Sequence, residues 1–320
     1  MKPAPSLQTA KTNQHRNHFF REIIKNRVLY LLFLPGVLFL LAFNYLPMFG
    51  IIVAFKEMNY RDGILGSPWI AFKNFEFLFS TPDAWQITRN TVIYNGVFIS
   101  LGLIVSVGLA IALSEILSKR LAKAYQSILF LPYFLSWVVV SYIGYAFLSP
   151  ELGLLNRSIL EPLGLENINW YHEAKYWPYI LTFFNLWKYT GWSVIVYLAS
   201  ITGIDPSYYE AAAIDGATRF QQIRKITIPM LIPMMTILTI LSIGRIFSAD
   251  FGLFFNVTLN SGIIQSTTSV IDTYVYNGLT RLGDVGMASA ASVYQSVIGF
   301  ILVLSTNFIV KKINPDNALF

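Results

Sequence analysis

Between Asp205 and Pro233 the chain reads DPSYYEAAAIDGATRFQQIRKITIPMLIP, a polar stretch set between two long apolar runs. Asp205 can accept a hydrogen bond from a free N–H at a helix start, and Pro206 sits at the first helical position, where no N–H is needed. Good helix formers follow from Tyr208 to Ile214, with Glu210-Ala211-Ala212-Ala213 at the centre, until Gly216 supplies the left-handed residue that closes a helix. A second helix is predicted from Ala217 to Thr227. Its apolar positions Phe220, Ile223 and Ile226 fall three apart on one face, with Arg219, Gln222, Arg224 and Lys225 elsewhere. Pro229 and Pro233 then mark the return into an apolar run, because proline is tolerated in a helix's first turn. The stretch is predicted to be a helical hairpin on the water side of a membrane.

Composition supplies the membrane. Hydrophobic residues make up 55% of the 320 and charged residues 12%, a balance that ordinary soluble domains do not reach. The 25 Phe, 18 Tyr and 7 Trp suit interfacial belts. No cysteine is present, so disulfide scaffolding and thiolate metal chemistry are excluded. The histidines, His15, His18 and His172, are scattered through polar segments and read as solvated. A net charge of +6 reads as loop charge that sets orientation, with no nucleic-acid partner implied.

Apolar runs long enough to span a bilayer occur at about 28–53, 88–117, 125–148, 177–200, 229–251 and 286–310. The expected architecture is an all-α integral membrane protein with six transmembrane helices. Residues 1–27 form a basic cytosolic tail, and the first run reads as a retained helix. An inside N-terminus places fourteen Lys and Arg in the cytosol, seven outside and two, Lys188 and Arg245, within spans, which accounts for all 23. That bias puts both termini and the 201–228 loop in the cytoplasm. Small residues in the second run (Gly96, Gly102, Gly108) and the sixth (Gly286, Ala288, Ala290, Ala291) are expected at helix–helix contacts.

The chain carries no chemistry of its own. A phosphate-cradling loop needs a Gly-Lys dipeptide, and none occurs. Neither a nucleophile triad nor a metal-ligand pattern is found, so no catalytic residue, cofactor or metal is expected.

The fourth run, WPYILTFFNLWKYTGWSVIVYLAS, is the candidate substrate path. Asn185, Trp187, Lys188, Tyr189, Thr190 and Trp192 lie in its middle third. A lysine near the bilayer centre costs about 2.5–3.5 kcal/mol on insertion scales, so it faces a polar cavity or a structural partner. Aromatic rings beside hydrogen-bonding groups suit sugars. Arg245 joins the set as the second cation within a span, and the two together would attract an acidic saccharide such as a uronate oligomer, with a neutral sugar as the alternative. Arg245 and Asp250 are five apart, off the spacing for a helical ion pair.

The spacing Glu210-Ala211-Ala212, three residues, Gly216, nine residues, Ile226, one residue, Ile228-Pro229 resembles the EAA motif of the permease subunits of binding-protein-dependent ABC importers. Isoleucine at 228, where the family usually has leucine, is the one departure. Further runs, LFLPYFLSWVVVSYIGYAFL (129–148), IDTYVYNGL (271–279) and GMASAASVYQSVIGFILV (286–303), resemble the carbohydrate importers, within them the subgroup serving complex oligo- and polysaccharides, alginate among these.

The resemblance implies the type I ABC importer permease fold. It also implies a second permease subunit, two ATPase subunits that bind ATP and magnesium, an extracytoplasmic solute-binding protein, and a place in the cytoplasmic (inner) membrane. Glu210, Ala211, Ala212, Gly216, Ile226 and Pro229 would form the ATPase-coupling surface. Import by ATP-driven alternating access is the expected function. Its rivals are a membrane-embedded enzyme of glycan assembly, which needs clustered acids at one membrane face, and an ion-coupled secondary transporter, which leaves the hairpin without a task.

Overall fold

The computed structural model describes residues 25–76, 80–313 and 315, so the expected tail lies almost wholly outside the described residues. Helix α1 (Arg27–Leu40) widens into a π turn and tightens into a 3₁₀ stretch, giving one helical rod, Arg27–Phe55. Then follow α2 (Pro82–Ser114), α3 (Lys119–Phe130), α4 (Trp137–Leu148), α5 (Trp177–Thr202), α6 (Pro206–Ile214), α7 (Arg219–Ile243), α8 (Ile271–Asn277) and α9 (Val285–Ile313).

Among the described residues four helical stretches are long and apolar enough to cross a membrane, Arg27–Phe55, Pro82–Ser114, Arg219–Ile243 and Val285–Lys312. One expectation needs correction here. The third run is not one straight helix: α3 continues as a 3₁₀ turn to Phe134, and α4 departs at 101°. Pro132 lacks the N–H a continuing helix would need, and Ser136 restarts the chain as the cap of α4, accepting from Val139 N–H at 3.3 Å. The bent pair counts as a fifth crossing if taken together. The fourth run is a single 26-residue helix, α5, but falls outside that apolar set because Asn185, Lys188 and its ring hydroxyls lower its hydropathy.

Helices α2 and α5 form the spine. The first half of α2 (Tyr94, Phe98) packs with the first half of α5 (Trp177, Leu181, Phe184), and their second halves (Val107, Ala110, Leu113 with Val194, Leu198, Ile201) pack likewise, so the pair runs parallel. Val140 and Leu148 of α4, with Leu253, Phe254 and Val257, complete the first core; Leu231 of α7 completes the second. Each of these side chains is withdrawn almost fully from solvent, and full burial of one such group stabilises by about 1.5–3 kcal/mol. By contrast α1 shows large apolar side chains outward, Phe33 at 73% and Leu32 at 74% exposed, as a lipid-facing or partner-facing helix does.

Irregular backbone inside this body is satisfied by polar side chains, which apolar surroundings require because an unpaired N–H or C=O there costs several kcal/mol. Asn90 donates to the carbonyls of Ser266 and Ser269 at 3.3 and 3.0 Å, and Asn95 to those of Ile246 and Ser248 at 2.9 and 3.2 Å. Thr91 accepts from Ile271 N–H at 3.0 Å. The small residues of α9 sit where expected, with Ala288, Ala290 and Ala291 buried and a Cβ on Gly299 3.0 Å from the carbonyl oxygen of Gly244. Gly96 and Gly108 of α2 do not make the expected close helix contacts, since a Cβ on either would meet nothing within 4 Å.

Candidate coupling hairpin and translocation cleft

Helix α6 starts as its sequence dictates. Asp205 Oδ1 accepts from Ser207 N–H at 2.9 Å, which also holds its carboxyl below the usual carboxylate range. At the other end Gly216 takes φ +77°, and its N–H bonds to Ala213 O at 3.1 Å while Ala217 N–H reaches back to Ala212 O at 2.9 Å. This pair of bonds is the glycine-closed helix end that the sequence called for. The second helix begins two residues later than expected, because Thr218 and Gln221 form a reciprocal capping box: Gln221 Oε1 accepts from Thr218 N–H at 2.7 Å and Thr218 Oγ1 from Gln221 N–H at 3.4 Å.

That helix does not end at Thr227. It passes through a π turn, Ile223–Thr227, into Ile228–Ile243 as one rod, α7. Pro229 and Pro233 therefore lie inside a continuous helix rather than at a boundary. Pro229 is accommodated because the wide turn just before it already interrupts the ordinary i to i−4 ladder. Tyr209 and Thr227 share a hydroxyl–hydroxyl hydrogen bond of 2.9 Å that ties the two arms of the hairpin.

Of the six expected coupling residues, Glu210, Ala211, Gly216 and Pro229 are exposed, and Ala212 and Ile226 are half-buried. Around them the hairpin shows Ile214 at 87% and Phe220 at 71% exposed. Apolar side chains that far out on a capped, hydrogen-bonded hairpin form a surface ready to be covered.

The six expected path residues divide. Asn185, Tyr189 and Trp192 of α5 line a cleft of about 390 Å³ together with Arg245, Ser106 of α2, and Thr239 and Ser242 of α7. Trp187 faces away, in an apolar groove with Ile143, Phe147 and Phe183. Lys188 is also outside the cleft and only 5% exposed. Its Nζ donates to the carbonyls of Pro132 at 3.4 Å, Tyr133 at 3.1 Å and Leu135, at the turn where the third run breaks; Pro132 O also accepts from Leu135 N–H at 3.1 Å. Its partner is thus neither a substrate nor an acid on another chain but the C-terminal end of a helix, where a cation is favoured.

Two participants, Trp137 and Asp250, were not singled out as path residues in the sequence. Asp250, considered there only against Arg245, accepts from Trp137 Nε1 at 2.8 Å and Tyr189 hydroxyl at 2.5 Å. Arg245 and Asp250 do not share a helix, since α7 ends at Ile243 and turns follow, so helical spacing does not govern the pair. Thr190, in the same middle third of the fourth run, is 8% exposed and lines the cleft with its hydroxyl unpartnered.

Comparison with known proteins adds the deciding observation. Residues 102–315, about two thirds of the chain, match the family described as binding-protein-dependent transport system inner membrane component. The chain belongs to this family. Among permeases of the family, the polygalacturonan/rhamnogalacturonan transport system permease protein YteP of Bacillus subtilis (strain 168) is 32% identical over 303 residues, 95% of this chain and 94% of that protein. The trehalose/maltose transport system permease protein MalF of Thermococcus litoralis is 28% identical over 289 residues, covering 89% and 92%. Two solved structures share the permease fold. One is a bacterial ABC transporter involved in the import of the acidic polysaccharide alginate, with a TM-score of 0.85, 32% identity and coverage of 93% of this chain and 99% of that one. The other is a bacterial alginate ABC transporter in complex with alginate pentasaccharide-bound periplasmic protein, with a TM-score of 0.83 and 31% identity over 92% of this chain and 97% of that one. The nearly all-helical body and its long apolar helices are those of a membrane permease of this family.

Proposed function

We propose that this permease is the translocation subunit of an importer for complex saccharides, acidic ones included. It pairs with a second permease, two ATPase subunits that carry ATP and magnesium, and an extracytoplasmic binding protein, with both of its termini in the cytoplasm. The observation that carries the reading is the single helix α7. It begins at the exposed hairpin, and its far end supplies Leu238, Thr239, Leu241 and Ser242 to the cleft, with Arg245 just beyond. At 1.5 Å per residue, its 25 residues span about 37 Å. A push on Ile226 or Pro229 is thereby carried along α7 to the cleft wall, and one on Glu210, Ala211, Ala212 or Gly216 reaches α7 through the hairpin turn and the Tyr209–Thr227 hydrogen bond.

The cleft itself suits a saccharide. Tyr189 and Trp192 offer ring faces; Asn185, Thr190 and Ser193 offer donors and acceptors; Arg245 offers a planar fork for a carboxylate. With Lys188 committed to carbonyls, Arg245 is the cation that the cleft wall presents to an anionic substrate. Membership of the transport family speaks against a glycan-assembly enzyme, and the hairpin against an ion-coupled carrier working alone.

Arg245→Gln tests the acidic preference. In proteoliposomes holding the whole transporter, uptake of a uronate oligosaccharide should fall about tenfold or more, the worth of one charge-assisted hydrogen bond. Uptake of a neutral oligosaccharide of the same length, if carried, should fall less. Equal losses for both, or none for the uronate, would remove acidic specificity from the proposal.

A further inference from the structure

The break between α3 and α4 and the irregular stretch after α7 lie more than a hundred residues apart, yet one cluster of side chains holds both. Asp250 Oδ2 receives the Trp137 indole N–H and the Tyr189 hydroxyl, and its Oδ1 accepts from Leu253 N–H at 3.3 Å, starting the helical turns there. From the other side the Lys188 ammonium sits 5.2 Å from the Trp137 ring centroid and 5.8 Å from that of Tyr189, while donating to the three carbonyls of the break. Each of these two rings therefore offers its π face to a cation and its polar hydrogen to an anion, and the low-dielectric setting strengthens both contacts.

Two glycines let the parts meet. A Cβ on Gly191 would fall 1.9 Å from Leu129 O, and one on Gly252 would fall 2.1 Å from Trp137 Cδ1. Three main-chain carbonyls aimed at one ammonium are an arrangement that apolar packing alone does not produce.

We propose that Lys188 and Asp250 are positioning residues that clamp the bend of the third span, and that the clamp reports on the cleft. Tyr189 is the link: its ring lines the cleft and its hydroxyl bonds to Asp250, so a substrate that draws on that hydroxyl weakens the hold on Trp137 and frees α4 to swing. The clamp follows from the geometry alone. Its part in transport rests on the importer reading above.

The absence of cysteine makes the bend directly measurable. Ile128→Cys on α3 and Tyr142→Cys on α4, at positions 66% and 72% exposed, carry nitroxide labels in the full-length chain assembled with its partner subunits in lipid nanodiscs. With Lys188 and Asp250 intact, one narrow distance is expected. Lys188→Met, which keeps length and loses charge, should add a longer population as the 101° bend opens. Asp250→Asn and Tyr189→Phe, near-isosteric changes, should do so too, and they carry the test if Lys188→Met does not accumulate in the membrane. The same variants should lower binding-protein-stimulated ATP hydrolysis about tenfold, the factor one lost charge-assisted hydrogen bond represents. A distance distribution unchanged in all three variants overturns the clamp. A changed distribution with unchanged stimulated hydrolysis overturns its role in transport. Failure of the importer reading would show separately, as hydrolysis in the unsubstituted complex that no binding protein stimulates.

Discussion

Gly191→Ala probes how α5 meets the broken third span. The added methyl would lie 1.9 Å from Leu129 O, 2.4 Å from Leu129 C and 2.8 Å from Phe130 Cα, all of them main-chain atoms. No rotamer change relieves a main-chain clash, so α5 and α3 must separate by about 1 Å or more in a close-packed interior. Overpacking of this kind costs about 1–3 kcal/mol, and the upper end applies where backbone meets backbone. At roughly 2–4 °C per kcal/mol for a chain of this class, the melting temperature should drop on the order of 10 °C. Separation would also draw Lys188 away from the carbonyls it caps, so cleft and bend should loosen together. The assay is thermal unfolding in detergent, followed by tryptophan fluorescence and paired with Gly108→Ala. Gly108 lies within α2, where an added methyl would meet nothing within 4 Å, so alanine there should be neutral or raise stability by up to about 1 kcal/mol. If Gly191→Ala melts within about 2 °C of the unsubstituted protein, the close approach of α5 to the break is wrong.

Other outcomes follow from single observations. Gly216→Val places a β-branched residue at φ +77° and should cost about 1–2 kcal/mol locally, leaving insertion intact while uncoupling ATP hydrolysis from uptake; vesicles that retain both at unsubstituted rates would contradict it. Asp272, between α7 and α9, accepts from Ala249 N–H at 2.7 Å and Gln295 Nε2 at 3.2 Å, and its burial raises its carboxyl above the usual range. A raised folded value means that its contribution is full below the ordinary carboxylate range and is lost as pH rises through the raised value. Asp272→Asn keeps an acceptor oxygen, so it should stabilise the protein more at pH 7.5 than at pH 5; a gain equal at both values, read by thermal melts, would refute the cause. Topology is checked by Leu65→Cys, at a position 87% exposed, and Ser207→Cys in the cysteine-free chain: an impermeant thiol reagent applied to intact cells should label position 65 and not reach position 207.

The hairpin was legible because its signals are local. Asp205, Pro206 and Gly216 act through backbone geometry within a few residues of themselves, and the structure has each where its chemistry puts it. The start of the second helix was misjudged by two residues because a reciprocal box at Thr218 and Gln221 outranks the good helix former Ala217. Hydropathy could not reveal the break near Pro132, since the run from Tyr125 to Leu148 is apolar on both sides of it. Only the proline and the following Ser136 carried a signal, and prolines are common in membrane helices. Lys188 was recognised as needing a partner, but the partner was main chain exposed by a break that hydropathy hides. Asp250 was read against Arg245 through helical spacing, a rule that lapses once α7 stops at Ile243. Arg245, Asn185, Tyr189 and Trp192 shared a wall because three of them lie on one helix and the fourth on the segment that faces it.

The central claim is that the exposed hairpin passes ATPase work along α7 to the cleft. Its most direct test is uptake of labelled oligosaccharide into proteoliposomes containing the whole transporter and its binding protein, with Glu210→Lys compared against the unsubstituted chain. Uptake should require both ATP and the binding protein, and Glu210→Lys should abolish uptake although the permease remains inserted with its melting temperature unchanged. Unimpaired ATP-driven uptake by Glu210→Lys, or uptake by the unsubstituted chain that needs only an ion gradient, would contradict the account.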